Sequence, residues 1–60
     1  MTKSEAIKVI HKKRISNSFT MGMELEEYID FFRKNYAKMF QKIIPSDPIV
    51  IANIIQNELD

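Results

Sequence analysis

The sequence predicts an all-α protein: a single small domain over residues 1–60, built as a short helix, a long central helix and a short helix folded back in hairpin fashion, with a core that a second copy could complete. Three observations point there. Apolar residues recur at helical spacing in three segments. The glycine and two prolines fall between those segments or at their starts, where helix punctuation belongs. Charge alternates in blocks, +4 over residues 1–14, −4 over 15–32, +4 over 33–42 and −3 over 43–60. In an antiparallel hairpin of the first two helices, the basic end of one lies beside the acidic start of the other, so the blocks favour that pairing.

The first helix takes Thr2 or Ser4 as its cap. Ala6, Ile7, Val9 and Ile10 cluster on one side over about three turns. Lys8, His11 and Lys12 gather on the other, and Lys13 and Arg14 close the helix where cations complement its carbonyl end. ISNSFTMG then breaks the pattern. Ser, Asn and Thr compete there for backbone hydrogen bonds, and Gly22 permits a conformation that other residues resist.

The central helix is expected to start between Thr20 and Met23, because Glu24, Glu26 and Glu27 put negative charge at its exposed N–H groups. Leu25, Ile29, Phe32, Tyr36, Met39 and Ile43 follow at spacings of 4, 3, 4, 3 and 4, a heptad seam widened by Tyr28, Phe31 and Phe40. Pro45 stops the helix after Ile44. At about 21 residues it would be roughly 31 Å long, against roughly 18 Å for each neighbour. The first helix is expected to lie along its amino-terminal half and the third along its carboxy-terminal half.

The third segment opens with Ser46-Asp47-Pro48, a cap followed by proline at the first helical position. Ile51, Ile54, Ile55 and Leu59 form its inner face, with Asn53, Gln56, Asn57 and Asp60 outside. The β-branched run Ile49-Val50-Ile51-Ala52 also fits a short strand, so residues 49–55 read as either.

Size makes this core marginal, since a 60-residue domain buries only about 60% of the surface its unfolded chain exposes. There is no cysteine to staple it, and one histidine cannot assemble a structural zinc site, so neither metal nor cofactor is expected. The start MTKSEAIKVIHKKR lacks the apolar core of a signal peptide, and no apolar run approaches the roughly 20 residues that span a bilayer. A cytoplasmic protein without membrane contact is expected. Ten isoleucines, seven lysines and four asparagines associate the composition with an AT-rich bacterial or phage genome.

No catalytic set emerges. His11 has no ligating neighbour at helical spacing, Ser4, Ser16, Ser18 and Ser46 serve turns or caps, and a single glycine cannot form a phosphate-cradling loop. Glu26, Glu27 and Asp30 suit a helix start, with Asp30 pairing to Lys34. What stands out is the aromatic stripe. Five of the six aromatic residues lie on the central helix, which two short helices cannot enclose. The reading is therefore a small non-enzymatic interaction module, a regulator that binds and modulates a larger protein or a second copy of itself through Tyr28, Phe31, Phe32, Tyr36 and Phe40. The alternative is a small DNA-binding regulator using a ridge of Lys34, Lys38 and Lys42 together with Lys12, Lys13 and Arg14. A net charge of +1 and a loop too long for a standard helix-turn-helix weigh against it.

Overall fold

The structure, a computed structural model, describes residues 1–59, with side chains described through Asn57; the inward placement expected of Leu59 and the outward one of Asp60 lie outside the described residues. It holds three helices, α1 (Lys3–Ile15), α2 (Leu25–Phe40) and α3 (Pro48–Ile54), the last running into a π-helical turn over Ile55–Leu59. Among the described residues there is no strand, and no helix is long and apolar enough to cross a membrane.

Thr2 caps α1 in a reciprocal box. The Glu5 amide donates to Thr2 Oγ1 at 3.2 Å, and the Thr2 amide donates to Glu5 Oε1 at 2.8 Å. Those bonds hold the Glu5 carboxyl below the ordinary carboxylate range. Asp47 caps α3 with a single bond, accepting from the Ile49 amide at 2.9 Å ahead of Pro48. With its start set in this way, the β-branched run is helical, and Ile51, Ala52 and Ile55 are buried.

The central helix is shorter than its seam suggests. It spans 16 residues, about 24 Å, starting at Leu25 and ending at Phe40. At its start, Asn17 and Thr20 use up the local backbone donors: the Phe19 amide bonds Asn17 Oδ1, the Thr20 and Met21 amides bond the Asn17 carbonyl, and the Met23 amide bonds the Thr20 carbonyl. At its end, Gln41 turns left-handed at φ 55° and returns its amide to the Ala37 carbonyl. The next residues are irregular. Arg33 Nε draws the Ile44 carbonyl in at 2.8 Å, so Ile44 enters the core while Ile43 stands 90% exposed. The seam therefore ends at Tyr36, with Met39 also exposed. Gly22 is corrected too: its φ is not positive and a Cβ there would meet nothing within 4 Å, so the loop makes no use of its freedom.

The packing also departs from a simple hairpin. α1 lies chiefly against α3 and only lightly against α2. Helix separation follows the side chains at the contact. Ala6 on α1 and Ala52 on α3 are fully buried and small, so those two helices approach closely, whereas α2 enters the same core through Tyr28, Phe32 and Tyr36 and stands further off.

Glycine thus sits where it is unnecessary and is missing where the backbone is left-handed. The double variant Gly22→Ala, Gln41→Gly should gain roughly 0.5–1.5 kcal/mol and melt several degrees higher; an unchanged or lower midpoint would contradict this account of the α2 terminus. A second expectation concerns pH. Burial pushes the Tyr28 hydroxyl above the ordinary value of 10.0, so the folded chain holds that proton more tightly than the unfolded one. The stability it contributes is complete below pH 10 and lost as pH rises through the folded value. Alkaline unfolding followed by circular dichroism should show that loss in the wild type and a smaller one in Tyr28→Phe.

Candidate functional site

All six aromatic side chains join in one ladder. Phe19 meets Phe31 at 5.6 Å between ring centroids, Phe31 meets Tyr28 at 6.4 Å, Tyr28 meets Phe32 at 6.3 Å, Phe32 meets Tyr36 at 6.1 Å and Tyr36 meets Phe40 at 4.7 Å. Its middle is core and its ends are surface. Tyr28, Phe32 and Tyr36 are buried within the single chain, Phe31 is half-buried, and Phe19 and Phe40 are 70% and 45% exposed. The five aromatic residues singled out from the sequence therefore divide. Three form the core, and Phe31, close to the middle of α2, and Phe40, its last residue, mark two separate surface positions.

Phe19 is the residue the sequence pattern passed over, because it lies outside every helical repeat. The loop that carries it is tightly organised. Arg14, at the end of α1, reaches forward with Nη1 to the Met21 carbonyl at 2.6 Å and the Met23 carbonyl at 2.8 Å. Buried Thr20 donates its hydroxyl back to the Arg14 carbonyl at 2.6 Å. With Asn17 holding the intervening amides, the backbone of this loop is pinned from both sides while Phe19 and Met21 project into solvent. The available sequence signal was the pair Arg14 and Thr20, six residues apart across a polar turn; helix periodicity does not register it.

The basic residues take different places. Arg14 is committed to the loop, and its Nη2 donates to His11 Nδ1 at 2.9 Å, which puts the lone pair on Nδ1. Lys12 is exposed beside it and Lys13 is half-buried. Lys34 pairs with Asp30 at 3.0 Å, as the spacing suggested. Lys38 is exposed on α2, but Lys42 lies beyond the left-handed Gln41, so the three lysines do not form one helical ridge. A cleft of about 520 Å³ between the amino-terminal ends of the helices mixes Lys3 and Arg33 with Glu26 and Asp30 over Ile7, Leu25 and Ile29. Among the described residues no group of three or more histidines and carboxylates is placed to hold a metal ion.

No protein-family model, curated protein or solved structure matches this chain.

The loop's rigidity should depend on Arg14 and Thr20. Thr20→Val removes a buried hydroxyl donor and Arg14→Lys replaces a two-carbonyl fork by a single ammonium, so each should cost about 1–3 kcal/mol. Amide exchange at Met21 and Met23 should accelerate ahead of exchange in α1 and α3. Uniform acceleration across the whole chain would show instead that the loop has no stability of its own.

Proposed function

We propose that this chain is a non-enzymatic, cytoplasmic protein-interaction module, a small regulator that acts by binding another polypeptide through the face formed by Phe19, Met21 and Phe31. One observation carries the reading: a loop held by at least six hydrogen bonds keeps Phe19 and Met21 outside the core. Ordering backbone costs about 1–2 kcal/mol per residue, and leaving a large apolar side chain in water forgoes roughly 1.5–3 kcal/mol of burial. A fold this small has little stability to spare for a loop ordered in that way. A partner that covers Phe19 recovers the burial without having to order the loop first, which is the advantage of a preorganised anchor. Aromatic anchors with apolar neighbours dominate many interfaces, and methionine adapts to varied surfaces.

An enzymatic reading has less support. The described side chains include no nucleophile with a base in reach and no acid-base pair converging on the cleft, whose charges are of mixed sign. The nucleic-acid reading has less support as well, since the Arg14 guanidinium is engaged by the loop and Lys42 stands off the helix that carries Lys34 and Lys38.

Immobilised chain and host lysate provide the test. Phe19→Ala should stay within about 0.5 kcal/mol of the wild-type stability because the ring is exposed, yet should weaken capture of a specific protein by about 2 kcal/mol, roughly thirtyfold. Phe31→Ala should weaken it as well. Capture that is indifferent to both substitutions would refute this face as the binding surface.

A further inference from the structure

Glu27, Phe31, Lys34 and Lys38 recur at spacings of four, three and four on α2 and so lie along one stripe of its surface. This stripe points away from buried Tyr28, Phe32 and Tyr36. Phe31 sits half-buried at its centre with the Phe19 ring against it, and Glu27, Lys34 and Lys38 are exposed. Lys34 holds Asp30 within the chain, whereas among the described residues no ion pair engages Glu27 or Lys38. The stripe therefore runs from acid through aromatic to base.

Such a stripe is complementary to itself when turned end for end. The midpoint between Glu27 and Lys38 coincides with the midpoint between Phe31 and Lys34, between positions 32 and 33, so one two-fold axis makes both pairings at once. We propose that a second copy of this chain docks antiparallel on this stripe, each Glu27 facing Lys38 of the other copy and each Phe31 ring receiving the ammonium of the other copy's Lys34. A parallel arrangement would set Glu27 against Glu27 and Lys38 against Lys38, and like charges in register disfavour it. Exposed ion pairs contribute little attraction by themselves. They set direction and register, while Phe31 and Phe19 supply the apolar contact. A standard interface covers about 800 Å² per partner, close to a fifth of the 4377 Å² surface of this chain; a single helix stripe covers less, in the size class of weak and transient contacts. The proposal rests on the reading of the Phe19 and Phe31 face as a binding surface and names its resident occupant, which another protein would have to displace.

Sedimentation equilibrium from about 1 μM to about 1 mM tests it on the full chain. The wild type should show a monomer–dimer equilibrium. Glu27→Lys and Lys38→Glu should each weaken dimerisation at least about tenfold, because each reversal creates two like-charge contacts across the axis. The double variant E27K/K38E should restore dimerisation to near the wild-type value, and far-ultraviolet circular dichroism should match in all four proteins. A dimer indifferent to the single reversals, or a double variant that fails to recover, overturns the antiparallel pairing. A wild type monomeric throughout, with lysate capture still dependent on Phe19, overturns the second copy as occupant and leaves the binding face standing. If capture is then also independent of Phe19, both conclusions fall.

Discussion

Three rings from one helix, Tyr28, Phe32 and Tyr36, fill the space beside two helices that meet through the small residues Ala6 and Ala52. Most of the architecture follows from that inequality of side-chain size. Small residues let α1 and α3 approach closely, so fully buried Ile10, Ile51 and Ile55 can interlock. Bulky residues hold α2 away from the same pair, and its backbone touches α1 only lightly. A core made this way needs the rings for volume. It therefore cannot also offer them to a partner, and whatever binds this protein must use side chains outside the packed centre.

Polar contacts do the work at the two connections. Arg14 and Thr20 tie the approach of α2 to the end of α1, and Arg33 ties the exit of α2 to Ile44. In both places a long side chain satisfies carbonyls of the connecting segment, and at the first the buried Thr20 hydroxyl satisfies the Arg14 carbonyl in the last turn of α1. Arg14, at the basic end of α1, reaches the approach to α2 by hydrogen bonds to the Met21 and Met23 carbonyls. Its Nε atom is buried without a partner among the described residues, so the guanidinium is spent on the loop without being fully satisfied.

Order in the loop and exposure on its outer side are two aspects of one arrangement. Because Asn17, Thr20 and Arg14 consume the backbone polar groups, Phe19 is not required to fold inward and rests instead on the flank of Phe31. That contact places an apolar patch on the charged side of α2, between Glu27 and Lys38. A surface with an aromatic centre and opposite signs at its two ends distinguishes the directions in which a second such surface could lie on it, since only one brings unlike charges together.

Sequence alone narrowed the beginnings of two helices, to Thr2 or Ser4 and to Ser46-Asp47-Pro48, and pointed to the ion pair of Asp30 with Lys34, because each depends on atoms within a turn or two of chain. A capping threonine or an Asp-Pro start acts locally and can be read locally. The length of α2 could not be read in that way. Its heptad pattern runs through Met39 and Ile43 in the sequence, but the chain leaves the helix at Gln41 because burying Ile44 beside Arg33 uses an apolar residue that a straight helix would have carried past the core. The same holds for the site. Periodicity identified an aromatic face, but which rings are covered depends on how closely α1 and α3 approach. Phe19 belongs to no repeat, so only the folded position of the loop reveals it at the exposed end of the ladder. Burial is a property of distant segments meeting, and no window along the chain contains it.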